Sequence, residues 1–300
     1  MVKWKDLDSA KIERFCRDQY SRYYCYPSLR DIFYAFVDDL WPNTLSAYQS
    51  LSKWLRDLRL SGRIDWRIIR DGSGREIAKG DYNLVKPENY IEAIIKDFEE
   101  APDNYSLPKW LDQFFEVYIL CEKEADFPVT RSILSNLNVD IAYLRGYSGW
   151  RLLFEIAEKI KRSTKEPVII ALGDFDPSGE DIVRFVREAL CDLTEREISF
   201  LKIAVIKEQI EKFKLPHRPE DLREMQKLER DPRFKNWPFG HYRVETATLR
   251  VREPEYFERI LREMVLEYFD SKIGKNVEDL ERKLKKKVRR GLDKWRHEVF

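Results

Sequence analysis

Three carboxylates carry the most specific chemistry in this 300-residue chain. Glu122 follows the apolar run FFEVYIL (114–120) and Cys121. Asp174 and Asp176 follow a second apolar run, PVIIAL (167–172), within GDFDPSGED. On an extended segment, residues i and i+2 project to the same side, so both aspartates can face one point. Oxygen donors without histidine or thiolate suit a hard cation, Mg²⁺ foremost, and Mg²⁺ held by a few carboxylates commonly engages phosphate groups. Asp-Pro-Ser-Gly is also good turn and cap chemistry in its own right. What sets the pattern apart is a Glu after one apolar strand together with a DxD after another. The nearby Glu124, Asp126, Glu180 and Asp181 read as helix-start acids, favoured by the helix dipole, with Glu124 and Glu180 as secondary metal candidates.

The remaining composition excludes several classes. The four cysteines (Cys16, Cys25, Cys121, Cys191) form no CxxC pair, and the three histidines (His217, His241, His297) stand apart. A disulfide framework and a zinc site are therefore not expected. No apolar run approaches a membrane span, and MVKWKDLDSA does not read as a signal peptide, so a cytoplasmic, reduced protein without a membrane partner is expected. No GxxxxGK[ST] phosphate loop is present. The formal net charge is +1, but residues 271–300 hold 11 Lys/Arg against 5 Asp/Glu, a net of +6. Leu280, Leu284, Val288 and Leu292 recur through that stretch at helical spacing. It reads as an amphipathic basic helix, either a docked solvated helix or a nucleic-acid contact.

Those site residues need elements to hold them. Residues 1–85 read as three helices and a hairpin. The first helix covers about Asp8–Tyr24. The second starts near Pro27-Ser28, with Ser28 as cap and Asp31 as the capping-box acid, and the third runs from Leu45 to about Leu60, stopped by Gly62. RIDWRIIRDGSGREI then alternates and turns at Asp71-Gly72. This is the plan of a winged helix-turn-helix, whose third helix would be the recognition helix. Lys53, Arg56, Arg59, Arg63, Arg67 and Arg70 gather there as candidate DNA contacts, with Arg75 and Lys79 beyond them and Tyr48, Trp54 and Trp66 interleaved. A surface helix with its aromatics turned inward is the alternative, and for Trp54 and Leu55 the favoured one. Residues 86–113 read as a helical linker. From 114 onward, strands (114–120, 140–145, 167–172 and 201–206) alternate with helices (127–137, 149–162 and 179–190). The expected fold class is α/β, with α+β character overall: a winged-helix domain (1–85), then a doubly wound, mainly parallel sheet domain with a C-terminal basic extension (114–300).

Glu122 after one strand and Gly173-Asp174-Phe175-Asp176-Pro177-Ser178-Gly179 after another resemble the Toprim domain of topoisomerases, bacterial-type primases and certain nucleases. The resemblance implies Glu122, Asp174 and Asp176 as Mg²⁺ residues. Leu29-Arg30-Asp31-Ile32-Phe33-Tyr34 in turn resembles the catalytic motif of topoisomerase VI A subunits and the related meiotic double-strand-break proteins. It implies Tyr34 as nucleophile and Arg30 as assisting cation, with Phe33 replacing the first aromatic of the usual Tyr-Tyr pair. Residues i and i+4 share a helix face, which suits an Arg that holds a phosphate or stabilises a phenolate. Arg145-Gly146-Tyr147-Ser148 and Tyr242-Arg243-Val244-Glu245 are similar to segments of short bacterial, viral and plasmid relatives of the A subunit.

The resemblance implies Mg²⁺-dependent cleavage of double-stranded DNA by tyrosine transesterification, with a 5′-phosphotyrosyl link and paired cuts by a homodimer. Strand passage would need a separate ATPase partner of B-subunit type. The alternatives are a Toprim nuclease that uses water as nucleophile, with Tyr34 structural, and a non-catalytic DNA-binding homologue.

Overall fold

The computed structural model describes residues 7–70, 86–144, 150–217 and 222–299. The chain divides into two compact units, one formed by residues 1–74 with 115–267 and the other by 75–114 with 268–300.

The first unit begins with three helices, α1 (Ser9–Tyr23), α2 (Leu29–Phe36) and α3 (Leu45–Leu60). Asp8 caps α1 and Thr44 caps α3, each accepting a backbone N–H. At α2, Ser28 and Asp31 form the reciprocal capping box, which satisfies two otherwise orphaned donors and fixes where the helix starts. Past the end of α3, Gly62 takes a left-handed φ of 71° that a side chain would oppose. Ile12, Cys16, Ile32, Phe33, Phe36, Val37, Leu51, Leu55 and Ile64 pack into one core between these helices. Over the expected first hairpin strand, Trp66–Ile68 instead forms a 3₁₀ turn capped by Asp65, and Arg70 meets Ser28 in a single bridge. The alternation of Ile64, Trp66 and Ile68 thus reflects burial of Ile64 and Ile68 in that core rather than a strand. The hairpin turn at Asp71-Gly72, with Arg75 and Lys79, lies outside the described residues.

Four parallel strands follow: β1 (Phe115–Cys121), β2 (Asp140–Tyr143), β3 (Glu166–Leu172) and β4 (Ser199–Ala204), in the order β2-β1-β3-β4. Three helices connect them, α5 (Phe127–Ile133), α6 (Trp150–Arg162) and α7 (Pro177–Thr194). Tyr118, Leu120 and Ile169 point to the side covered by α6 and α7. Cys121 points to the other, where its thiol meets Thr130 of α5. Helices therefore lie on both faces, and the central strands β1 and β3 are buried runs rather than alternating ones. The strand order reverses between β1 and β3, so a crevice opens at their carboxyl ends. Glu122 and Asp174 sit at that switch point.

The unit is completed by α8 (Lys207–Phe213), α9 (Leu222–Glu229), α10 (Thr246–Arg252) and α11 (Pro254–Leu266). The second unit pairs α4 (Pro87–Asn104), which occupies most of the expected linker, with α12 (Ser271–Val299), the expected basic helix. They run antiparallel, joined by Phe98 on Trp295, Arg296 to Glu99, Arg289 to Asp103, and the Leu107 amide on Glu281. Sequence spacing marks each helix but not its mate, so linker and extension read as separate pieces until their charges are seen to match. No helix among the described residues is long and apolar enough to cross a membrane.

Candidate active site

The β1–β3 crevice holds a linked pair of carboxylates. Glu122 Oε2 accepts the Asp174 amide at 2.8 Å, and the Lys123 ammonium stands 3.0 Å from Glu122 Oε1 and 3.2 Å from Asp174 Oδ2. The other Asp174 oxygen accepts both the amide and the hydroxyl of Thr246, at 3.0 and 3.3 Å. Behind them Lys202 donates to the Asp174 carbonyl and to Glu180. Gly179 permits this closeness: a Cβ there would lie 2.4 Å from the Asp174 carbonyl oxygen and 3.1 Å from Glu122 Oε2.

Asp176 has different partners. Its carboxylate caps α7 through the Gly179 amide at 2.7 Å and faces Arg243 at 3.5 Å. Among the described residues no three acids stand together as a ready metal cluster. Asp176 stands on the same loop with its carboxylate engaged as the cap of α7, while Glu122 and Asp174 are joined directly through the Asp174 amide. Their chemistry fits a hard divalent cation, since both are buried oxygen donors. Lys123 balances their charge.

Burial and the neighbouring Asp174 charge push the Glu122 carboxyl from its ordinary 4.5 up to about 7, with Lys123 and the Asp174 amide pulling the other way. Between those values the folded chain binds more protons than the unfolded one. The stability this contributes is present in full below about 4.5 and is lost as pH rises through about 7. In EDTA, Glu122→Gln is therefore expected to match wild type near pH 5 and exceed it at pH 8 by up to about 3 kcal/mol in urea denaturation. An identical pH trend in both proteins would refute this.

Arg30 and Tyr34 share a face of α2 and line a cleft of about 190 Å³ with Tyr48, Arg243 and Glu245. Arg30 Nη1 lies 3.0 Å from Glu245 Oε2, and that charge raises the Arg30 pKa further. The contact is an ion pair without hydrogen-bond geometry, so Glu245 Oε2 is a buried acceptor with no hydrogen-bond donor among the described residues. Burial, opposed by Arg30, raises the Glu245 pKa. Burial and the Glu245 charge also push the half-buried Tyr34 phenol well above 10, again opposed by Arg30. Tyr48, a second tyrosine, lines the same cleft beside Arg30.

One helix joins the two clusters. Thr246, at the start of α10, binds Asp174. One turn on, Arg250 holds Asp31 of α2 at 2.6 Å and Asp126, before α5, at 3.0 Å, all three almost completely buried. Arg252 donates to the carbonyls of Tyr34 and Val37 at the end of α2. Burial alone would raise the Asp31 pKa, but Arg250, Arg70 and the Ser28 amide outweigh it and hold it low. At Asp126 burial prevails over Arg250, and its pKa rises to about 6.

The expected DNA contacts divide in two. Lys53, Arg56, Arg63 and Arg67 are exposed. Arg59 and Arg70 serve the fold: Arg59 donates to the carbonyls of Trp66 and Ile69, and Arg70 to that of Ala125, with Asp31 at 3.7 Å. A groove of about 1090 Å³ nevertheless brings Arg30, Lys53, Arg56, Arg59, Arg70 and Lys123 together. Sequence reading gave no role to Lys123, Glu245, Thr246 or Arg250. Lys123 adjoins Glu122 and Glu245 closes the Tyr242–Glu245 motif, so the signal was present for both. Thr246 and Arg250 act through tertiary contacts that leave no local pattern. Arg145–Ser148 lies outside the described residues. No protein-family model and no curated protein matches this chain.

Proposed function

We propose that the chain cleaves duplex DNA by tyrosine transesterification, as a topoisomerase VI A-type enzyme with a winged-helix module before a Toprim module. The observation that carries this reading is the linkage, through α10, of the Arg30/Tyr34 helix to the carboxylates at the sheet switch point. The cation-lined groove running from Arg30 to Lys123 suits a phosphate backbone.

In this reading the groove cations bind the strand and Arg30 orients the scissile phosphate beside Tyr34. Because the Tyr34 phenol resists ionisation, it needs a proton acceptor, and Glu245, with an undonated buried oxygen, is suited to that task. The Tyr34 oxygen bonds to phosphorus, the bond from phosphorus to the 3′ oxygen breaks, and the departing oxygen takes up a proton. A 5′-phosphotyrosyl ester and a 3′ hydroxyl result, so the reverse reaction reseals the strand. A Mg²⁺ ion held by Glu122 and Asp174, with Asp176 on the same loop, would stabilise charge on the phosphate and the leaving oxygen. Paired cuts on opposite strands call for a homodimer, and strand passage for a separate ATPase subunit.

The raised phenol pKa favours a second reading, a nuclease in which water attacks and Tyr34 is structural. Incubation with supercoiled DNA and Mg²⁺, then denaturation, separates the two. Transesterification predicts protein-linked DNA that disappears in Tyr34→Phe. Normal cutting by Tyr34→Phe without any adduct would establish the nuclease.

A further inference from the structure

The basic stretch of α12 lies in the second unit. Its apolar residues and its cations occupy different sides. Val277 is buried, and Leu284, Val288 and Leu292 are half-buried on the side where Trp295 meets Phe98 of α4. Arg289 and Arg296 spend their charge on Asp103 and Glu99 of α4. Lys283, Lys286, Lys287 and Arg290 are exposed, and among the described residues none of the four has an acidic partner. Their spacing, i, i+3, i+4 and i+7, lines them up on one face.

From Lys283 to Arg290 the helix rises about 10 Å, a length of duplex that carries roughly six phosphates. We infer that this face binds the phosphate backbone of double-stranded nucleic acid without regard to sequence, as a contact separate from the cleavage groove. An anionic membrane is the weaker match. An interfacial helix must sink its apolar face into lipid, and here α4 covers much of that face.

The test uses the full chain in EDTA, where no cleavage occurs, so its result does not depend on the proposed reaction. Binding of a fluorescent mixed-sequence DNA duplex is followed by anisotropy across a salt series. Replacing Lys283, Lys286, Lys287 and Arg290 together by Gln should weaken binding on the order of 100-fold near 0.1 M salt and flatten the log–log salt slope by about 3 to 4. The counterpart with Arg at the three lysines should bind as wild type, and both variants should keep the wild-type circular dichroism and melting curve. Unchanged affinity and slope in the Gln variant would overturn the inference. So would loss of binding in the Arg variant, or a Gln variant that loses only its attachment to phosphatidylserine vesicles.

Discussion

Asp174→Asn is expected to lower DNA cleavage on the order of 1000-fold or more while DNA binding in EDTA changes little. Asparagine keeps an oxygen for the Thr246 amide and hydroxyl, so the α10 contact survives. The side facing Lys123 and Glu122 loses its charge, and with it the site for a divalent ion. Mixing this protein with Tyr34→Phe gives a further result. If one subunit's tyrosine works with the other's carboxylates, the mixed dimer regains one intact centre and nicks single strands. If both act within one chain, the mixture stays inactive. Cleavage at wild-type rates by Asp174→Asn would remove the carboxylate pair from the mechanism.

Arg250→Met should cost roughly 3–5 kcal/mol, because it leaves Asp31 and Asp126 buried without their shared cation. For a unit of this size that is a fall in melting temperature on the order of 10 °C. The loss has a pH signature. The Asp126 pKa is already raised to about 6 by burial and rises further once Arg250 is gone. Above about 6 the variant's Asp126 still holds a proton that the wild type has released, so the variant's deficit should widen as pH rises above about 6, and the Asp126 share of it should level off below that value. Adding Asp31→Asn and Asp126→Asn should recover much of the loss at neutral pH. A melting curve that matches wild type at pH 8 would contradict the picture of α10 as the strut between tyrosine helix and carboxylates.

Local chemistry made several parts of the fold legible in advance. Ser28 with Asp31 is a strong cap, and α3 begins and ends at the expected Leu45 and Leu60. The four strands fall within about two residues of their apolar runs, and for the central β1 and β3 the reason is that burial on both faces needs uninterrupted hydrocarbon. Glu122 and Asp174 were legible for the same reason, since a strand end at a switch point is marked by where its apolar run stops. Asp176 was half legible: its position is as expected, but one carboxylate can cap a helix or converge on a neighbour, and sequence does not say which. Arg59 and Arg70 look like their exposed neighbours Arg56 and Arg67 in sequence. Only the fold shows that Arg59 reaches the Ile69 carbonyl and Arg70 the Ala125 carbonyl beyond β1. The pairing of α4 with α12 spans more than 160 residues and leaves no local trace.

Two tyrosines flank Arg30, so the most direct measurement identifies the one that carries DNA. Adducts formed with Mg²⁺ and trapped by denaturation are digested with nuclease and trypsin, and the peptides are sequenced by mass spectrometry. The account predicts a nucleotide phosphate on Tyr34 within the peptide running from Asp31 to Lys53. A nucleotide on Tyr48, or DNA cut with no modified tyrosine at all, would contradict it.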